Sequence, residues 1–141
     1  MSVEQLHTIL EPIYQRRQAL GFVHLSPTEQ VIMAVWSLKA EVNNGGFGQY
    51  FANSSGEHAE TAAAALQHIG AERTRGLLLR AIAIIGGSPP PGQTDRQLLL
   101  SRLPVRALAQ LHELDLAFYD KPDDLNALLL AYIAANVTPD T

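Results

Sequence analysis

The chain contains no cysteine. That excludes a disulfide framework, a thiolate zinc site and a cysteine nucleophile. It has no long apolar run. The most apolar window, Leu77 to Ile85, is interrupted by Arg80 and is too short to span a bilayer. The start, Met1-Ser2-Val3-Glu4-Gln5, lacks the basic residues and apolar stretch of a signal peptide. These absences predict a cytoplasmic protein with no membrane association. β-branched residues are sparse and never alternate over several positions, so no strand is expected. No repeat of fixed period is present. At 141 residues the chain has the length of one domain, and residues 1–141 are read as a single unit.

The pattern that remains is helical. Leu6, Ile9, Leu10, Ile13 and Leu20, with Val3 before them, follow helical spacing, and Pro12 either kinks this run or starts a second helix. Ser26-Pro27-Thr28-Glu29 is a capping box with proline in the first turn. The helix it opens is expected to reach about Glu41, with Val31, Ile32, Val35, Trp36, Leu38 and Val42 inward. Ser55 is expected to cap the next helix, which stops at Gly70. Ala71 to Ile85 forms another, ended by Gly86-Gly87. The proline-rich stretch Ser88 to Gln93 is a connector. Thr94 with Gln97 reads as a second capping box. Pro104 and Pro122 open the last two helices, with Asp120 as a cap for the final one. The fold class is all-α: one compact domain of six to eight helices with short connectors.

Aromatics make up only 6 % of the chain, yet Phe47, Tyr50 and Phe51 fall within five positions. They sit in Asn43-Asn44-Gly45-Gly46-Phe47-Gly48-Gln49-Tyr50-Phe51-Ala52-Asn53-Ser54-Ser55-Gly56, read as a tight loop between two helices. Glycine tolerates positive φ, and aromatics demand burial. Phe47, Tyr50 and Phe51 are therefore expected to tether the loop to the core. Gly45 or Gly46 is expected in a conformation alanine cannot adopt. The amides of Asn43, Asn44, Gln49 and Asn53 either satisfy backbone groups in the turn or bind a ligand.

Charge is unevenly distributed. Arg73, Arg75, Arg80, Arg96, Arg102 and Arg106 lie in the middle, offset nearby by Glu72 and Asp95 alone. Glu113, Asp115, Asp120, Asp123 and Asp124 follow, against Lys121 alone. Either patch is a solvated helix face or meets a charged partner, and the acidic group supplies the partner-binding candidates. Arg73 and Arg80 share a helix face, but a net charge of −4 and a pI near 5.6 argue against direct nucleic-acid binding.

Catalytic chemistry finds little support. Gly46-Phe47-Gly48 has neither a preceding strand nor a P-loop lysine, so no nucleotide or other cofactor is expected. Among His7, His24, His58, His68 and His112 no metal-ligand spacing occurs, and Glu57-His58-Ala59-Glu60 lacks a histidine pair. Ser54 and Ser55 adjoin Gly56 without forming a nucleophile elbow, so no catalytic residue is assigned.

The string Glu41 to Phe51 with Asn53 resembles the central motif of a bacterial domain family of unknown function named after a DNA-mimic protein. Ala62 to Gly70 is similar to the helix that follows that motif. Leu114-Asp115, Phe118-Tyr119 and Leu128 to Ile133 are similar to the family's C-terminal pattern. The resemblance implies an all-α fold with no known catalytic activity. It also implies an acidic face that occupies the DNA site of a transcription factor or another DNA-binding protein. A helix carrying Glu113 to Asp124 would spread a net four negative charges over roughly 18 Å. That is about one per 4–5 Å, against about one per 1.7 Å of duplex axis. The expected function is thus a non-enzymatic, protein-binding regulatory module. The alternatives are an immunity-type inhibitor, or an enzyme of unrecognised type using the Asn/Gly loop. A homodimer is left open.

Overall fold

The computed structural model describes residues 3–136. Met1 and Ser2, read above as part of a leaderless start, lie outside the described residues, as does the side chain of Val3. Seven α-helices and no strand occur among the described residues: α1 (Val3–Leu20), α2 (Pro27–Ala52), α3 (Ala59–His68), α4 (Glu72–Ile84), α5 (Gln93–Ser101), α6 (Val105–Tyr119) and α7 (Leu125–Asn136). Short 3₁₀ turns at Phe22–His24 and Ser54–His58 flank α2.

The ends of α1 and α2 follow local chemistry. α1 runs through Pro12 without dividing, and Gly21 at φ 92° ends it. α2 opens as the sequence demands. Ser26 Oγ accepts from the Glu29 N–H, and the Glu29 carboxylate accepts from the Ser26 N–H. An ion pair between Arg16 and Glu29 ties α1 to this start.

Several sequence-based boundaries need correction, and Pro122 lies in the turn before α7 rather than at its start. Ser55 caps no helix. It lies buried in the 3₁₀ turn, and α3 begins at Ala59 without a side-chain cap. Thr94 and Gln97 form no capping box, because α5 already starts at Gln93 behind Gly92. Asp120 ends α6 rather than starting α7; Asp124 makes the α7 cap by accepting from the Ala127 N–H at 3.1 Å.

α2 is the axis of the domain and packs against α1, α3, α5, α6 and α7. Ile32, Val35, Leu38, Val42, Phe47 and Phe51 are fully buried along it, with Tyr50 nearly so. The alanines of α3 (Ala59, Ala62, Ala63, Ala65) are also buried and let that helix approach α2 closely. Leu78 from α4, Phe118 from α6 and Leu129 from α7 complete one continuous core.

Candidate functional site

The segment read as a loop is mostly helix. α2 continues past Glu41 to Ala52 and is interrupted only at Gly45 (φ −156°, ψ 21°) and Gly46 (φ 79°, ψ −178°). The cause is visible in the sequence. Phe47, Tyr50 and Phe51 stand at i, i+3 and i+4, which is helical spacing, and all three face the core. Phe118 meets Phe47 edge-on at 5.8 Å, and Tyr50 and Phe51 lie 5.4 Å apart. The glycine pair breaks the helix for two residues and re-aims it so that this aromatic face can enter the core.

A break in a helix frees backbone donors. Asp115 on α6 accepts the Phe47 N–H at 2.8 Å, so an acid 68 residues away caps the second half of α2. Burial pushes the Asp115 carboxyl above its ordinary range. The Phe47 hydrogen bond and nearby His112 partly oppose that shift. Gly46 is required twice here: its φ is left-handed, and a Cβ would lie 2.7 Å from Asp115 Cγ.

The motif's polar residues form a network on the half-buried side of the break. Glu41 accepts from Gln49 Nε2 and from Asn53 Nδ2, both at 2.8 Å. Asn44 Nδ2 donates to Gln49 Oε1 at 3.2 Å. One carboxylate thus brackets the break by binding a residue on each of two later turns. Asn43 takes no part in this network.

The carboxyl end of α2 is closed by α5. Arg96, only 2 % exposed, donates from Nε to Phe51 O at 2.9 Å and from Nη2 to Asn53 O at 3.0 Å. Its Nη1 donates to Pro90 O at 2.9 Å and Pro91 O at 2.7 Å. A guanidinium at a helix C-terminus meets orphan carbonyls and the negative end of the dipole. Gln93 and Gln97 both donate to Ala52 O. Gly56 completes the closure, since a Cβ there would lie 2.6 Å from Tyr50 O. Sequence reasoning counted Arg96 as part of a basic surface patch. The structure instead buries it as the clamp between the motif and the proline connector.

The acidic candidates are distributed over α6, a turn and the start of α7. Asp115 is bound to Phe47. Asp123 accepts from both Thr74 N–H (2.7 Å) and Thr74 Oγ1 (2.8 Å), which satisfies a first-turn donor of α4. Asp124 caps α7 while remaining exposed. Glu113 and Asp120 are exposed on α6 and its end. Glu113 and Asp120 lie seven residues apart on one flank of α6, and the exposed Arg106 stands seven residues before Glu113 on the same flank. Beside that flank runs a row of exposed side chains, Val105 (83 %), Leu108 (49 %), Leu116 (53 %) and Tyr119 (41 %), with the exposed His112 between Leu108 and Leu116.

No group of three or more acids and histidines able to hold a metal occurs among the described residues. His58 stacks on Phe22 at 4.1 Å, and burial holds its imidazole below the ordinary value, with Arg17 and Arg96 adding to the shift against Glu57. No hydrogen bond joins Ser54 or Ser55 to His58 among the described residues. A polar cleft of about 430 Å³ lies where α2 meets the α6–α7 turn. Lys39, Asn43, Thr74, Lys121, Asp124 and Asn126 are among its lining residues.

No curated protein and no solved structure matches the chain. A family model described as DMP19-like protein matches residues 23–136. That span holds the capping box, the glycine break with its Asp115 cap, the Arg96 clamp and all five acidic candidates, and it covers most of the chain. On that match the chain belongs to the DMP19-like protein family.

Proposed function

We propose that this chain is a non-catalytic regulatory module that binds protein through the outward face of α6. Its partner is a DNA-binding protein whose DNA site the acidic flank occupies. The observation that carries the reading is the composition of that face: Leu108, Leu116 and Tyr119 stand exposed in one row, with Glu113 and Asp120 beside them. Protein interfaces join an apolar centre to a charged rim, and exposed apolar rows mark such sites. The family's description supports the choice of a DNA-binding partner.

The acids alone are too few to imitate a phosphate array. With Asp115 and Asp123 committed internally, Glu113, Asp120 and Asp124 remain. Apolar contact must therefore supply affinity, and the acids supply orientation toward a basic rim. The test is a titration of a partner isolated from the native host, with and without its DNA, at two salt concentrations. Glu113→Gln with Asp120→Asn should weaken binding most at low salt. Leu116→Ala should weaken it about equally at both. Simultaneous binding of DNA and this chain by the partner would defeat the proposal. So would a charge-neutralised variant that competes with DNA as well as the original.

A further inference from the structure

Among the described residues, Lys121 is the only non-glycine residue with positive φ, at 52°. It occupies the left-handed position after α6. The corresponding positions after α3 and α4 are held by Gly70 and Gly86, which make the same N–H bond to the carbonyl three residues back. Glycine adopts that conformation without penalty, whereas a side chain adopts it under strain. Strain of this kind is retained where the side chain has work to do. The Lys121 side chain lines the cleft of about 430 Å³ between α2 and the α6–α7 turn.

A second cation lines the same cleft. Lys39 is half-buried, with Nζ 2.7 Å from Asn126 Oδ1 and 4.8 Å from the Trp36 ring centroid. No carboxylate forms an ion pair with either lysine among the described residues. Burial and the charge of Lys121 both push the Lys39 ammonium below its ordinary range, while Asp124 opposes them. Asn43 stands one helical turn after Lys39 on the same face of α2 and also lines the cleft. Its amide is exposed and takes no hydrogen bond among the described residues, whereas Asn44, Gln49 and Asn53 are all engaged around Glu41. Asp123 and Asp124 also border the cleft, and both are engaged at helix starts, Asp123 by Thr74 and Asp124 by the Ala127 N–H.

We infer that this cleft binds the oxyanion group of a small molecule, a carboxylate or a phosphate, between Lys39 and Lys121, with the Asn43 amide as a further donor. An anion there would accept charge-assisted hydrogen bonds from both lysines and a further one from the exposed Asn43 amide. The volume is that of a metabolite site.

The test is a titration of the full chain, followed by ¹H–¹⁵N spectra, with inorganic phosphate in one arm and malonate in the other. Ionic strength is held constant with sodium chloride. Saturable shifts of the Asn43 side-chain amide and the Lys121 backbone amide are expected, with a Kd on the order of 1 mM for such minimal probes. The arm that saturates first identifies the headgroup. Lys121→Gly should raise that Kd at least about tenfold while leaving the melting temperature unchanged or higher, because glycine removes the backbone strain. Asn43→Ala should weaken binding with the fold intact. The inference is overturned if neither anion saturates. It is also overturned if chloride alone produces the shifts, or if both variants bind as the original does.

Discussion

Replacing Gly46 by alanine adds one carbon to a backbone at φ 79° and ψ −178°. Holding a side chain in that region costs about 1–3 kcal/mol. The new carbon also collides with the Asp115 carboxylate, whose Cγ would lie 2.7 Å away. Asp115 must then move and release the Phe47 N–H, a donor whose loss of a partner costs about 1–3 kcal/mol more. The sum, about 2–6 kcal/mol, is a large part of the 5–15 kcal/mol typical of a whole domain. Urea unfolding followed by far-ultraviolet circular dichroism would measure it. With a slope of about 1.5 kcal/mol/M, a loss of 3 kcal/mol moves the midpoint by about 2 M. The two contributions separate in a double-mutant cycle with Asp115→Ala, which removes the colliding atoms but leaves the backbone strain. Gly46→Ala should then cost about 1–3 kcal/mol less in the Asp115→Ala background. A Gly46→Ala variant within about 0.5 kcal/mol of the original would refute the break as a requirement. Equal costs in both backgrounds would refute the collision.

Arg96→Ala should destabilise by about 3–5 kcal/mol, because Phe51 O, Asn53 O, Pro90 O and Pro91 O lose their donor together. Arg96→Lys should recover little, since one ammonium cannot span four carbonyls on two segments; thermal melts of both variants decide. Phe51→Ala should cost about 3–5 kcal/mol as a fully buried ring, and an unchanged melt would remove the aromatic anchor. Asp115 has a raised native pKa, so its titration contribution to stability is fully present below the ordinary carboxylate range. It is lost as pH rises through the native value. Asp115→Asn keeps an acceptor for Phe47 without the buried charge, and should therefore gain stability relative to the original as pH rises from about 4 to 7. The reverse trend in denaturation midpoints would contradict the burial argument.

What the sequence made legible was local. The Ser26–Glu29 capping box joins residues three apart, and it formed as read. Helix-ending glycines at 21, 70 and 86 were equally plain, because a positive φ has few other occupants. The motif misled through its composition. Its glycines and asparagines suggested a loop, while the spacing of Phe47, Tyr50 and Phe51 was already that of a helix. Local capping signals at Ser55 and Thr94 gave way to packing. Gly56 must press against the Tyr50 carbonyl, and Gln93 and Gln97 must reach Ala52 O. The contacts that organise the motif were not legible, because each joins distant segments. Asp115 lies 68 residues from Phe47, Asp123 49 from Thr74, and Arg96 45 from Phe51. No spacing rule connects such pairs.

These long-range caps change what charge counting means for function. A run of acids read along the chain looks like a surface available to a partner. In the fold, Asp115 and Asp123 answer backbone donors at two helix starts, and Asp124 answers a third. Arg96, counted with the basic middle, answers four carbonyls instead. Helix ends carry partial charges that ionic side chains complement. An all-α domain with many short helices has many such ends, so its own termini absorb a share of its charged residues. A DNA mimic built on this fold therefore draws on the acids that remain, Glu113 and Asp120 first. With those two set beside Leu108, Leu116 and Tyr119, the proposed function predicts that binding of this chain depends less steeply on salt than DNA binding by the same partner. DNA offers its binding protein phosphates alone at the backbone, whereas the α6 face offers apolar surface that salt does not screen.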